Sequence, residues 1–198
     1  MSDQRPLYVI TVMSRDRVGI VRDVSTAISE IEGDIADLRQ SVLGGYFTMI
    51  LLATFPPAQS VESIRQKLTL VNLSSTTPLE IVVKRVTEAA VGEAASPDAT
   101  YVLTASGEDR IGFVAAVSGF CARNDINILD LSTTVAEGQY VMILLVDLSR
   151  SLHEGDARQP AGLERIHENL KQFGQETGLN VVLQHYDIFK ATNEIKML

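Results

Sequence analysis

The chain has 198 residues, 45% of them hydrophobic, with 17 basic side chains against 25 acidic ones and a single cysteine. This length allows one ordinary domain or two small ones, and the apolar content excludes a wholly disordered chain. The formal net charge of −8 disfavours direct binding to nucleic acid or to an anionic membrane surface. No disulfide can form within the chain, and no apolar run is long enough for a membrane span. We therefore expect a cytoplasmic protein.

An internal repeat indicates two domains. A shift of 93 positions lays Asp16-Arg-Val-Gly-Ile-Val over Asp109-Arg-Ile-Gly-Phe-Val, and Met49-Ile-Leu-Leu over Met142-Ile-Leu-Leu. The match runs without a gap over about 45 residues, of which about 18 are identical, so the chain is a tandem duplication. We predict a first domain over 1–88, a linker over 89–99, a second domain over 100–190 and a C-terminal tail over 191–198.

Hydrophobic periodicity predicts the same elements in each copy. In the first we expect strands at Leu7–Met13, Ile35–Leu43, Tyr46–Phe55 and Leu79–Val86, a helix at Val18–Ile31 ended by Gly33, and a short helix capped by Ser60. In the second we expect strands at 101–106, 128–136, 139–147 and 180–189, helices at 112–124 and 162–177, and a polar surface loop at Ser149–Ala161.

The resulting β-α-β-β-α-β order predicts an α+β protein made of two ferredoxin-like domains. Each has a four-stranded antiparallel sheet with both helices on one face. This topology leaves the strand after the first helix at the sheet edge, where it can pair with another sheet. The second repeat or a second chain could supply that partner.

The segment between the first strand and the first helix carries the chemistry of a candidate binding site. A helix N-terminus offers unpaired N–H groups to a carboxylate, and Gly19 and Gly112 leave room for a ligand to approach them. Asp16 and Asp109, three residues earlier, could receive an ammonium group, so the parts fit a zwitterionic amino acid. The alternative is that both aspartates only cap the helices and the glycines only ease a tight turn.

These motifs resemble the ACT domain family, and two such repeats in a chain of this length resemble the glycine cleavage system transcriptional repressor group. The resemblance implies non-catalytic regulation, in which a small amino acid such as glycine or serine binds and a protein partner, a transcriptional regulator, responds. It also implies a homodimer and ligands held at the edge-strand interface. The implied ligand-binding residues are Asp16, Arg17, Val18, Gly19, Ile20, Asp34 and Ile35 in the first copy, and Asp109, Arg110, Ile111, Gly112, Phe113, Asn127 and Ile128 in the second.

The two copies differ at the start of the edge strand. Asn127 supplies both a hydrogen-bond donor and an acceptor, whereas an ionised Asp34 only accepts. A ligand carboxylate near Asp34 would meet like charge. We therefore predict that the second copy is the better amino-acid site and that the first is degenerate or prefers a cation.

Other residues give weaker signals. His153, His167 and His185 are scattered without paired spacing, so we expect no metal site, and we expect no cofactor. Cys121 falls on an apolar helix position and should be a buried core thiol. We see no catalytic set. The alternatives to a ligand-binding regulator are an assembly module that binds no small molecule, and an enzyme with a site that these motifs do not reveal.

Overall fold

The computed structural model describes residues 5–71, 77–87, 97–136, 138–152 and 160–193. The chain divides into two compact units, Met1–Gly92 and Glu93–Leu198. Each unit has the predicted β-α-β-β-α-β order and one four-stranded antiparallel sheet. Most of the predicted linker lies outside the described residues, so its limits stay predictions.

The first unit follows the predicted order closely. Its elements are β1 (Leu7–Arg15), α1 (Ile20–Glu30), β2 (Asp34–Leu43), β3 (Tyr46–Thr54), α2 (Val61–Leu70) and β4 (Glu80–Arg85). The sheet order is β2-β3-β1-β4, which confirms that the strand after the first helix lies at the edge. Ser60 caps α2 as predicted: its side chain accepts a hydrogen bond from the Ser63 amide, and the Ser63 hydroxyl accepts one from the Ser60 amide.

The second unit repeats this arrangement and adds a helix. Its elements are β5 (Thr100–Gly107), α3 (Phe113–Arg123), β6 (Asn127–Ala136), β7 (Gln139–Asp147), α4 (Pro160–Thr177), β8 (Asn180–His185) and α5 (Tyr186–Asn193). The sheet order is β6-β7-β5-β8, the same as in the first unit.

Alternating side chains in the strands give each sheet two different faces. In β1, Tyr8, Ile10 and Val12 are at most 2% exposed, whereas Thr11 and Met13, which follow Ile10 and Val12, are exposed. The buried set packs with apolar residues of α1 and α2 into one core, and the second unit has its own equivalent core. We call the helix-covered side of each sheet the inner face and the opposite side the outer face.

Both edge strands contain a β-bulge at equivalent positions. The pairing register shifts between Ile35 and Asp37 in β2, and between Ile128 and Asp130 in β6. Each bulge aspartate accepts a hydrogen bond from the backbone amide of the next residue, at 2.8 Å for Asp37 and 2.9 Å for Asp130. The bulge therefore belongs to the repeated unit rather than to one copy.

Two predicted boundaries were wrong. The first helix begins at Ile20 rather than Val18, because Gly19 has a positive φ of 95° and ends the turn before it. The predicted strand 180–189 ends at His185, and the next residues form α5. That helix extends to Asn193, and the limits of the predicted tail at 191–198 stay a prediction. Residues 194–198 lie outside the described part of the chain.

Two further expectations need revision. Gly33 does not supply the left-handed residue after α1: Glu32 does, with φ 58°. The loop predicted at Ser149–Ala161 is not wholly on the surface, because Ser151 and Leu152 are 4% and 5% exposed. The Ser151 hydroxyl donates a hydrogen bond to the Asn124 carbonyl, 2.7 Å away. The middle of this predicted loop, residues 153–159, lies outside the described residues, and α4 already begins at Pro160.

Candidate functional site

A glycine precedes the first helix of each unit. Gly19 and Gly112 occupy the N-cap positions with φ values of 95° and 90°, and no side chain in the described part of the chain caps either helix. The interpretation of Asp16 and Asp109 as helix caps is therefore wrong. Because α2 in the same chain has a full capping box, the open N-termini of α1 and α3 are a local difference. In α3 the Phe113 N–H donates to the Arg110 carbonyl, 3.2 Å away, so an anion would be offered the N–H groups that follow it in the first turn.

In the second unit this N-terminus opens into a surface depression of about 470 Å³. Its lining residues are Asp109, Arg110, Gly112, Phe113, Val114, Ala115, Ser118 and Tyr140. Phe113 is 2% exposed and meets the Tyr140 ring edge-on, with the ring centroids 4.9 Å apart. A Cβ added at Gly112 would meet nothing within 4 Å. A small ligand can therefore approach the helix N-terminus over an aromatic floor.

In the first unit an ion cluster occupies the equivalent position. Arg17 and Arg22 each place a guanidinium nitrogen against the Asp23 carboxylate, at 2.9 and 2.8 Å. Atoms of all three side chains lie within 4 Å of where a Gly19 Cβ would be. Hydrogen bonds from Arg22 and then Arg17 hold the pKa of Asp23 below its usual value. The approach to this helix N-terminus is therefore partly filled by the protein's own charges.

The internal repeat explains this difference. Arg22 and Asp23 correspond, at the 93-residue shift, to Ala115 and Ala116. Two alanines cannot form an ion cluster, so the space over Gly112 stays open. Sequence reasoning did not recognise that these positions decide whether the helix N-terminus is open, although the aligned repeats already showed the change from a charged pair to two alanines.

The apolar residue before each glycine points into solvent. Val18 is 99% exposed and Ile111 is fully exposed. Ile111 does not line the depression of the second unit, and each of the two residues leaves an apolar tip on its loop. Ile20, by contrast, is 1% exposed and belongs to the core, so it can affect a ligand only through its backbone.

The start of each edge strand lies at the other end of the sheet from the loop. In the second unit Gly107, at the end of β5, pairs with Tyr140, whereas Asn127 pairs with Asp147 at the opposite end of β7. At about 3.3 Å per strand residue, this separation is roughly 25 Å. The first unit repeats it, with Asp34 beside Thr54 and Arg15 beside Tyr46.

Neither unit therefore assembles all of its predicted ligand-binding residues in one place. Asp109, Arg110, Gly112 and Phe113 come together around the depression. Asn127 is exposed at the far end of the sheet. Ile35 and Ile128 are only partly buried and pack against the two cores. Tyr140 and Ser118 line the depression, and sequence reasoning did not assign either to a site.

Two other reactive side chains, those of Cys121 and His185, pack against neighbouring residues. Cys121 is 1% exposed, as predicted, and burial raises the pKa of its thiol to about 11. His185 meets the Tyr101 ring edge-on at 5.1 Å. Across the described ranges, no group of three His, Cys, Asp or Glu side chains could hold a metal ion. Of the helices described, none has the length and apolar character needed to cross a membrane.

The fold is a tandem pair of ferredoxin-like modules. The ACT domain family model matches residues 7–83 and again 99–184, so the chain belongs to that family. ACT domains are regulatory modules that bind small molecules such as amino acids.

Curated relatives match about half of the chain, and they match over nearly their whole length. A UPF0237 protein of Methanocaldococcus jannaschii is 36% identical over a stretch that covers 48% of this chain and 96% of its own length. A UPF0237 protein of Clostridium perfringens is 33% identical over 48% of this chain and 97% of its own. Each relative is thus about as long as one repeat.

Solved structures match both repeats together. A protein of unknown function from Galdieria sulphuraria is 26% identical, with a TM-score of 0.71 over 91% of this chain and 98% of that one. A protein provisionally named a glycine cleavage system transcriptional repressor is 19% identical, with a TM-score of 0.67 over 90% of this chain and 96% of that one. The second likeness concerns the fold alone.

Proposed function

We propose that this protein is a non-catalytic cytoplasmic regulator that binds a small amino acid, such as glycine or serine, and in response modulates a protein partner. The partner we favour is a transcriptional regulator of amino-acid metabolism. Membership of the ACT domain family supports ligand-linked regulation. The name of the structurally similar glycine cleavage repressor supports the choice of ligand and partner.

The observation that carries the proposal is the uncapped N-terminus of α3 above an open depression. The ligand carboxylate accepts hydrogen bonds from the first-turn amides, where the helix dipole also favours negative charge. The ligand ammonium group lies toward the Asp109 carboxylate. In the first unit, the Arg17–Asp23–Arg22 cluster competes for the same position, so the second unit is the better site.

Asn127 reaches such a ligand only from another sheet. If two β6 edges pair antiparallel, the start of one strand lies beside the end of the other, which is where the loop before α3 sits. A second copy of the chain then brings its Asn127 to the same end of the sheet as the Gly112 loop of the first. The ligand would contact both copies, and the homodimer would be stabilised by the ligand, as linkage requires.

The test is binding of glycine, serine and larger amino acids to the full chain, by calorimetry and by thermal shift. A site filled at 100 times its dissociation constant should add about 2.7 kcal/mol of stability. We expect Asn127→Ala to lose this shift and Asp34→Ala, the equivalent change in the other repeat, to keep it.

Loss of binding in Asp34→Ala alone would reverse the assignment of the working site. An absence of any shift with any amino acid at millimolar concentration would contradict the proposal and favour the assembly module. Sedimentation or light scattering of the same samples checks the shared site. If the dissociation constant of the dimer does not fall when glycine or serine binds, Asn127 acts within one chain or not at all.

A further inference from the structure

Arg110, in the loop before α3, ties that loop to the end of another helix of the same unit. Its guanidinium Nη2 donates a hydrogen bond to the Thr177 backbone carbonyl, 2.6 Å away. Thr177 is the last residue of α4, and the last turn of α4, which is described in full, has no basic side chain. Carbonyl groups at a helix C-terminus lack helical partners and carry partial negative charge, so a cation from elsewhere in the chain is stabilised there.

Packing joins the same two segments independently of this hydrogen bond. A Cβ added at Gly107, where the loop leaves β5, would lie 2.7 Å from Leu179 Cδ2 and 3.7 Å from Phe113 Cε2. Leu179 is 6% exposed and follows Thr177 by two residues. The loop therefore rests on the connection between α4 and β8 at two points, one at Gly107 and one at Arg110.

The corresponding arginine of the first unit lies in another position. Arg17 turns toward the start of its own helix, where its Nη2 lies 2.9 Å from the Asp23 carboxylate. Helix α2 has a basic residue, Lys67, in its own last turn, and the position of Asp23 is taken by Ala116 in the second unit. The two repeats thus show the same arginine in two arrangements, over the helix N-terminus in one and on the end of a second helix in the other.

We propose that Arg110 is a positioning residue of the ligand site: by binding the end of α4 it holds the loop in place and keeps the α3 N-terminus open to the ligand carboxylate. The family resemblance implies that Arg110 contacts the ligand, whereas here its guanidinium orders the loop before the ligand arrives. An ordered loop loses less conformational entropy on binding. The residue at position 116 selects the arrangement, because a carboxylate there offers the arginine a charged acceptor. The proposal rests on the proposed function and deepens it by naming the side chain that controls access to the site.

The test measures binding of glycine and serine to the full chain by calorimetry, for the parent, Arg110→Ala and Arg110→Lys. Arg110→Ala frees the loop and should weaken binding about threefold to tenfold. Arg110→Lys keeps a cation that can donate to the same carbonyl, and it should recover part of that loss. In the ligand-free chain, hydrogen exchange followed by peptide mass spectrometry should be faster over residues 108–114 in Arg110→Ala.

Arg165→Ala is the matched control. Arg165 also donates to a backbone carbonyl in the second unit, that of Ser151 at 3.0 Å, and it does not line the depression. Its variant should leave both the affinity and the exchange of residues 108–114 unchanged within error. Both arginines are exposed, so neither variant should unfold the chain, and circular dichroism verifies this.

A second substitution tests the choice between the two arrangements. Ala116→Asp introduces the carboxylate that the first unit has at this position, and we expect it to draw Arg110 away from Thr177. Ligand-free exchange at the end of α4, over residues 174–179, should then become as fast as in Arg110→Ala. In the double variant Ala116→Asp should add nothing further at the end of α4, because the hydrogen bond is already gone.

Four outcomes would overturn the proposal: unchanged glycine and serine affinity in Arg110→Ala, an equal loss in Arg165→Ala, no recovery in Arg110→Lys, or an Arg110→Ala chain that loses affinity without faster exchange of its ligand-free loop. The last would mean that Arg110 contacts the ligand directly. A parent chain that binds neither glycine nor serine would contradict the proposed function itself, and faster loop exchange in Arg110→Ala would then assign Arg110 a structural role only.

Discussion

At the scale of single residues, the two copies fill the space after their first helix with different side chains. A Cβ added at Gly33 would lie 2.5 Å from both Ile28 Cγ2 and Phe55 Cε1, so this glycine is required by space. In the other repeat Ile126 takes its position, and it is 5% exposed. The neighbours are smaller there, since Cys121 replaces Ile28 and Leu148 replaces Phe55. Close packing makes such exchanges interdependent.

The ion cluster beside Gly19 gives a prediction about pH. The pKa of Asp23 is lowered by Arg22 and Arg17, so the folded state holds this proton more weakly than the unfolded state does. The stabilisation is therefore present above the unfolded pKa of 3.8 and is lost as the pH falls through the lower folded value. Asp23→Asn should cost about 0.2–1 kcal/mol at pH 7.

Urea unfolding at several pH values measures this effect. The difference between the parent and Asp23→Asn should shrink below about pH 4, and at pH 7 it should shrink in high salt. Asp16→Asn, on the same loop but exposed, is the control and should change little. A difference that stays constant from pH 7 down to pH 3 would show that Asp23 acts through packing rather than through its charge.

At the scale of elements, the boundaries follow from hydrogen-bond partners more than from residue preference. The run Tyr186–Phe189 is rich in residues that favour strands, which led to the wrong prediction of a strand through 189. The only strand beside β8 in the described sheet is β5, and their pairing ends at Tyr101 and His185. Beyond that pair the backbone must satisfy its own hydrogen bonds, and it does so as α5.

The capping box of α2 can be tested directly. Ser60 and Ser63 exchange two hydrogen bonds at 2.9 and 3.1 Å. Ser60→Ala leaves the Ser63 amide without its acceptor and should lower the free energy of unfolding by about 1 kcal/mol. Thermal or urea unfolding of the full chain is the measurement. Ser29→Ala, at an exposed position in the last turn of α1, should stay within about 0.5 kcal/mol of the parent.

The sequence was sufficient for the element order, the edge position of β2 and the loops that contain the candidate site. The predicted order also implies that Asn127 and the Gly112 loop lie at opposite ends of the sheet, because β5 and β6 run parallel and α3 returns the chain between them, although the residue-by-residue resemblance grouped them in one site. The sequence was insufficient for the Arg17–Asp23–Arg22 cluster, whose members come from a loop and a helix. Side-chain contacts of this kind depend on the geometry of the turn at Gly19.

At the scale of the whole molecule, one fold carries two different surfaces. Residues 1–90 contain 9 basic and 10 acidic side chains, and residues 91–198 contain 8 and 15. Each core cluster draws its residues from one unit alone. The duplication has thus kept two separate cores while the exposed positions diverged in charge.

Separate cores predict separate responses to core damage. Leu51 and Leu144 occupy equivalent positions and are 1% and 0% exposed. Leu51→Ala and Leu144→Ala should each cost about 2–5 kcal/mol in their own unit. Hydrogen exchange followed by peptide mass spectrometry should show faster exchange in the altered unit only. Equal acceleration in both units, for either variant, would mean that the chain unfolds as one cooperative block.

The bulges at Asp37 and Asp130 limit how further strands can add to the β2 and β6 edges. A fibril grows when identical flat edges stack without end, and each added strand must match the whole length of the last one. A strand that pairs with one of these edges meets a regular ladder only over Leu38–Leu43 in β2, or over Leu131–Ala136 in β6. Beyond that stretch it meets the bulge, which carries the carboxylate of Asp37 or Asp130. Such an edge permits one finite partner in one alignment and opposes open-ended polymerisation.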